Sequence, residues 1–492
     1  MPPSISVKGG IMLFNSAEFI LLFLPLVLVV YHLLPHRGQN IFLVIASCVF
    51  YASWDWRFLL PLLFTTAVDY HISLKLAESV RRGEPQHVRK RWMQLSIALN
   101  LGLLGFFKYA NFFAQSAVDA GRLLGLDWSL QVMEIVLPVA ISFYTFQAMS
   151  YTIDVYRGEL HPCDSFWDFF LAVLYFPHLV AGPIQRASTL LPQVIRPRTM
   201  QRDTVIEGLH LMLWGYFKKV YIADNLTPWV DAAFRSGATP DTATVVTGVL
   251  AFTFQIYCDF SGYTDIARGV ARLMGFEFAL NFRLPYFATN PSDFWRRWHI
   301  SLSSWLADYL YKPLGGNRGS RWMTSRNLMI TMLLGGLWHG AAWNFVLWGF
   351  YHGLILVLHR LAQPALERIG QRFESMPGVW LTIRIASMFL MTCYGWLLFR
   401  ATSLEQIGAM TQLLMVPQGG FDWAPLGEVM KLVAPLLLVQ WVQWRTGDLY
   451  FTRQLWSGRL RGAPLRVTGY AVMAYLCLFL GGQPQSFAYF HF

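Results

Sequence analysis

A chain of 492 residues is long enough for about two to four soluble domains. Its composition excludes them: only 14% of residues are Asp, Glu, Lys or Arg, roughly half the usual soluble share. Another 55% are hydrophobic, the formal charge is +11 from 39 basic against 28 acidic residues, and mean hydropathy is +0.39. These figures exclude a soluble enzyme, a disordered scaffold and a fibre, and imply a polytopic membrane protein.

The basic residues sit in short clusters between apolar spans, where the positive-inside rule accounts for them. No nucleic-acid-reading motif accompanies the charge, so nucleic acid is not an expected partner. Of the five cysteines, Cys48, Cys258, Cys393 and Cys477 lie in or beside apolar runs. Their spacing matches no zinc site or disulfide frame, so they read as small buried hydrophobes.

In chain order, residues 1–11 form a tail ahead of Met12, and 19–34 make the first span. The start is not a signal peptide, because the apolar run ends at Pro35 without a small-residue cleavage site. Further apolar stretches follow at 41–54, 92–107, 135–153, 171–185, 242–258, 327–359, 385–399, 432–444 and 467–492. At about 20 residues per crossing, the pattern predicts roughly nine to twelve spanning helices, with shorter re-entrant or interfacial ones, in a single membrane domain over 12–492. Basic loops at 75–91, 186–202, 312–326 and 445–466 are expected on the cytoplasmic side; 114–131 and 400–424, poor in basic residues, are expected outside.

Three segments carry chemistry. The first, YCDFSGYTDIARG at 257–269, places Asp259 and Asp265 near the end of an apolar span, with Ser261 and Tyr263 as hydrogen-bond donors. Asp259 can orient a histidine or a substrate hydroxyl; pairing of these carboxylates with Arg268 or Arg272 is the plainer alternative. The second segment, 281–318, is aromatic and carries charges of both signs. With Ser292 or Asp293 as cap and Pro313 as stop, it reads as one helix. Trp298, Leu302, Trp305 and Tyr309 share its apolar face, and His299 flanks that stripe. Such a helix suits the membrane interface or a protein-lined cavity.

The third segment, 327–359, contains no Asp, Glu, Lys or Arg. His339 is therefore expected deep within a helix at membrane level, where an ionisable side chain is costly and is a functional candidate by default. Gly335, Gly336, Gly340, Ala341 and Ala342 around it allow close helix approach or room for a substrate. His299 and His339 suit a base with an electrostatic helper. A metal site lacks further ligands at recognisable spacing, and His352 and His359 are 13 and 20 residues from His339, too far along one helix to share an ion. There is no phosphate-binding loop, G-x-S-x-G elbow or dinucleotide fingerprint, so any activated donor must enter a cavity among the helices. A transporter with an intramembrane proton relay is the rival class; no internal duplication supports it.

These blocks resemble the membrane-bound O-acyltransferase family. The likeness is to the bacterial branch that holds the alginate O-acetylation membrane protein and the D-alanyl transfer protein of teichoic-acid modification. It rests on MLFNSAEFILLFLPLVLVVYHLL, QIYCDFSGYTDIARG, LPYFATNPSDFWRRWHISLSSWLADYLYKPLGGNR, NLMITMLLGGLWHGAAWNFVLWGFYHG and the closing FAYFHF, from about residue 12 onward. Cys258 stands where a Phe is more usual in that block.

The resemblance implies an all-α integral membrane bundle around a central cavity in a bacterial inner membrane. It carries the catalytic histidine over to His339 and the second histidine position to His299. Asp259, Tyr263, Asn281, Arg297, Trp343 and Asn344 become candidate substrate-binding residues, with His299, Trp343 or Asn344 as candidate oxyanion donors. No bound cofactor or metal is implied. The implied donor is acetyl-CoA from the cytoplasm, and the implied acceptor an exported polysaccharide such as alginate or cellulose. Partners would be a periplasmic SGNH-type acetyltransferase and the polysaccharide secretion machinery. Other acceptors within the family are teichoic acid, lipid or peptide.

Overall fold

The computed structural model describes residues 12–126, 133, 135–179, 182–420, 422–449 and 463–485. The 1–11 tail, the closing FAYFHF and most of the basic 445–466 loop lie outside the described residues. Every regular element among the described residues is helical, as the composition demanded. Among the described residues, six helices are long and apolar enough to cross a membrane: His36–Arg81, Gln86–Leu123, Thr242–Arg272, Trp343–Arg372, Pro377–Arg400 and Ala424–Thr446. Two shorter apolar helices, Glu18–Leu33 and Val467–Phe479, accompany them. Other apolar stretches take shorter forms, such as Ile141–Arg157 and Phe166–Leu174, whose residues are largely buried within protein.

The chain divides into two compact units, 1–210 with 267–279, and 211–266 with 280–492. The helix Thr242–Arg272 contributes to both.

In the first unit the helices Leu59–Arg81, Gln86–Leu104 and Ile141–Arg157 pack around a polar hub. Asp69, fully buried, accepts from Ser96 Oγ, from Thr152 Oγ1 at 3.2 Å and from Asn100 Nδ2 at 2.8 Å. Three helices are thereby joined through one carboxylate. A second tie fixes the basic 186–202 loop: Arg198 donates to Asn40 Oδ1 at 2.7 Å and to the Tyr31 hydroxyl at 2.8 Å.

The second unit is organised by a hairpin of Arg321–His339 and Trp343–Arg372. Its helices meet backbone to backbone at Gly336, where an added Cβ would stand 2.2 Å from the Phe345 carbonyl. Residues 340–342 reverse the chain. Gly340 and Ala342 are extended, with φ of −158° and −154°, and the Phe345 ring fills the space a side chain at 340 would need, 2.1 Å from an ideal Cβ. The charge-free stretch is thus a helix, a short reversal and a second helix, and His339 is the last residue of the first helix rather than a mid-helix residue.

The segment after 281 also departs from the single helix expected. It forms Pro291–Trp295, then Ile300–Leu306, then a π-helical turn Ala307–Tyr311. The first piece is capped by Asn290, whose side chain accepts from Asp293 N at 2.8 Å, rather than by Ser292 or Asp293. The break falls at His299, which adopts a left-handed conformation with φ 42° and ψ 54°. That conformation is unfavourable for a residue with a Cβ and persists only where the surroundings impose it.

Candidate active site

All residues of the site belong to the second unit. The left-handed backbone at His299 turns its side chain inward, where it is 0% exposed; His339 is 4% exposed. The two imidazoles lie with ring centroids 6.5 Å apart. Phe260 meets His299 edge to face at 4.8 Å, and Trp338 contacts both rings, at 5.9 and 5.0 Å. Trp348 and Phe399 pack edge to face on His339 at 5.0 and 5.3 Å. Two imidazoles are thus enclosed by aromatic walls, a low-dielectric setting in which their hydrogen bonds decide what they can do.

His299 has a defined tautomer. Asn281 Oδ1 accepts from the backbone N–H of Ser301 at 3.2 Å and from Ser301 Oγ at 2.9 Å, which identifies that atom as the oxygen. His299 Nδ1 stands 3.1 Å from the same oxygen and must donate to it. In the neutral ring the proton therefore sits on Nδ1 and Nε2 carries a lone pair. Nε2 is buried and has no hydrogen-bond partner among the described residues. Burial pushes the His299 pKa down to about 3, so the ring stays neutral near pH 7. A neutral ring in this tautomer accepts at Nε2; it cannot donate there to an oxyanion.

The other candidates fall in different places. Asn281, 0% exposed, is the residue that orients His299. Asn344 donates through Nδ2 to the carbonyls of Phe399 and Ala401, at 3.2 and 3.0 Å, and so anchors the end of Pro377–Arg400. Its amide donors are already engaged. Trp343 begins its helix 54% exposed. Arg297 pairs with Asp293 at 2.8 Å, one helical turn away.

Asp259 is drawn elsewhere: Lys219 Nζ lies 2.7 Å from both Asp259 Oδ1 and Asp224 Oδ1, all three side chains at most 4% exposed. Tyr263 faces the same ammonium, 5.5 Å from ring centroid to Nζ. Lys218 pairs with Asp265 at 2.6 Å, and Arg272 with Glu207 at 2.7 Å. The 257–269 carboxylates thus take lysine partners from the π-helical turn Phe217–Ala223. Residues 217–223, FKKVYIA, gave a usable signal: two adjacent lysines in an apolar run need buried counter-charges.

Sequence reading also passed over Trp348, and weighed His352 only as a metal ligand too far from His339. Trp348 and His352 are four residues apart and share a helix face, with Trp348 against His339 and His352 against Trp348 at 4.6 Å.

Comparison with known proteins identifies relatives of the chain. The model of the membrane-bound O-acyltransferase family matches residues 164–405. A probable alginate O-acetylase of Azotobacter vinelandii is 41% identical over 457 residues, covering 92% of this chain and 87% of the relative. Its counterpart in Pseudomonas aeruginosa is 43% identical over 394 residues, covering 80% and 73%. A peptidoglycan O-acetyltransferase of Helicobacter pylori is 34% identical over 428 residues, covering 80% and 78%.

Proposed function

Since the chain belongs to the membrane-bound O-acyltransferase family, and is an O-acyltransferase of the membrane, we propose that it draws acetyl groups from cytoplasmic acetyl-CoA for O-acetylation of an exported polysaccharide. Alginate is the first acceptor to test, because the relatives named for it align over most of the chain. Peptidoglycan is the second, on the strength of the Helicobacter relative. A bacterial inner membrane is the location that joins such a donor to such an acceptor.

The observation that carries the reading is the enclosed imidazole pair, 6.5 Å between centroids, one member of which presents an unengaged lone pair. His339 acts as general base: it takes the proton of an acceptor hydroxyl as that oxygen attacks the thioester carbonyl. The C–S bond then breaks, and the protonated imidazole returns the proton to the departing thiolate. Help of this kind is worth about 10² to 10⁴ in rate. His299, fixed by Asn281, offers its Nε2 lone pair to a second donor of the acceptor, such as a neighbouring sugar hydroxyl, and so aligns the attacking one; positioning of this sort lowers the barrier without a second proton transfer. Delivery to a polymer outside the membrane calls for partners, an SGNH-type acetyltransferase in the periplasm and the secretion machinery.

The test is the O-acetyl content of the exported polysaccharide in a strain lacking the protein, restored with wild type or with H339Q at matched membrane levels. Wild type restores acetylation and H339Q does not. Full acetylation with H339Q removes His339 from the chemistry, and acetylation untouched by loss of the protein removes the reading.

A further inference from the structure

Two buried lysines take no part in the transfer step, and a buried ammonium is costly enough to need a reason. Lys218 and Lys219 are adjacent in the π-helical turn Phe217–Ala223 and are 2% and 1% exposed. Both reach the helix Thr242–Arg272, and they hold it from different sides. Lys219 Nζ lies 2.7 Å from Asp259 Oδ1, while Lys218 Nζ donates to Ser261 Oγ at 2.9 Å and to Asp265 Oδ2 at 2.6 Å. Between the two grips the backbones touch. An added Cβ at Gly262 would stand 2.8 Å from the Gly215 carbonyl oxygen, and one at Gly215 would stand 2.6 Å from that of Gly262.

The spacing of these positions turns contacts into a constraint. A helix advances about 100° per residue, so Asp259 and Asp265 fall on either flank of Gly262. Ion pairs on both flanks of one line of contact oppose rotation of the helix in either sense. Phe260 projects from the far side, about 160° from Gly262. Its ring meets His299 edge to face at 4.8 Å and Phe282 at 5.1 Å. Tyr257, on that same side, packs against Phe282 at 5.8 Å and Trp298 at 6.3 Å. The lysines thus grip one side of a rod whose other side presses on His299. Apolar contacts are non-directional and let a helix settle at several angles; charge pairs in a low-dielectric interior select one.

We propose that Lys218 and Lys219 are positioning residues for the acyl transfer. They fix the rotation of Thr242–Arg272, set Phe260 against His299, and so keep Nε2 aimed at the acceptor. The inference rests on the reading of His299 as the group that aligns the acceptor. Neither lysine needs to touch substrate.

The experiment uses inside-out membranes of a strain that makes the polysaccharide, which retain its partners and its polymer. Acetyl-CoA is supplied, acetyl transfer to the polymer is followed, and the maximal rate per protein is separated from the KM for acetyl-CoA. K219M is placed in the wild-type protein and in H299N. In the wild-type background it lowers the maximal rate by about ten- to a hundredfold and leaves the KM nearly unchanged. In H299N no aligned imidazole is left to misplace, and K219M costs less than about twofold more. F260A repeats both results. K219M leaves Asp224 and Asp259 without their shared ammonium; if it does not accumulate, K219M/D224N/D259N removes the stranded charges together and carries the test. Losses that multiply in the H299N background, or a K219M rate equal to wild type, overturn the positioning role. A polymer that keeps its acetyl groups in the absence of the protein overturns the transfer reading itself.

Discussion

The Asp69 hub and the His299–His339 site are both buried polar clusters in an apolar protein, and they use their hydrogen bonds in opposite ways. At Asp69 both carboxylate oxygens are engaged, by side chains of two other helices. At the histidine site Asn281 engages one edge of His299 and leaves the other, Nε2, with no partner among the described residues. A closed cluster locks helices together; one left open on a single edge is prepared for something that arrives later. Burial alone does not distinguish them, since Asp69 and His299 are equally hidden.

The contrast breaks if the two clusters respond alike. Replacing the base by H339Q removes the largest effect: transfer falls about 10²- to 10⁴-fold while the unfolding temperature in detergent stays near that of wild type. D69A does the reverse. It strands Ser96, Asn100 and Thr152 without their shared acceptor and lowers stability by about 2 to 4 kcal/mol, read by thermal unfolding and by the amount of protein in the membrane. Normal stability with abolished transfer in D69A would put that carboxylate in the chemistry instead.

An intermediate effect sharpens the site's half of the comparison. N281L removes the acceptor that fixes the His299 tautomer, and kcat drops by about tenfold, the equivalent of one hydrogen bond, with KM little changed. N281D keeps an acceptor oxygen and restores most of the loss. Equal losses in both variants would mean that Asn281 matters for packing alone.

The smallest effect is in pH. The folded His299 has its pKa near 3, against an ordinary value of about 6.5. Between those limits the unfolded chain takes up a proton that the folded site refuses, so stability falls as pH drops below about 6.5. At pH 5.5 the loss from this group is about 1 kcal/mol relative to pH 7.5. The variant H299N shows a shallower decline; an identical decline would assign the pH dependence to other groups.

The helical class, the membrane setting and the importance of 327–359 were legible because they follow from which residues are absent. Removing charge from 33 consecutive positions leaves a mark that needs no tertiary contact to read. The break after His339 was not legible, because what excludes a side chain at 340 is the Phe345 ring, brought there only by the hairpin. The left-handed turn at His299 was hidden for a related reason: its residue type does not announce positive φ as glycine would. Asn344 looked like a donor for substrate until its amide met two carbonyls at the end of another helix. For Asp259 the sequence offered a histidine, a substrate hydroxyl or its own helix's arginines, and the lysine forty residues earlier that pairs with it was not named. In the last two cases the deciding partner is remote in the chain.

The three-residue reversal at 340–342 has one more consequence, which is mechanical. Phe345 occupies the volume beside Gly340, packs on Phe399 at 4.9 Å, and Phe399 in turn rests on the His339 ring. A single methyl group at 340 would push this train of rings, and the far end of the train is the reacting imidazole. G340A should therefore tilt the base without altering any atom that touches substrate, making position 340 a lever arm on the proton transfer.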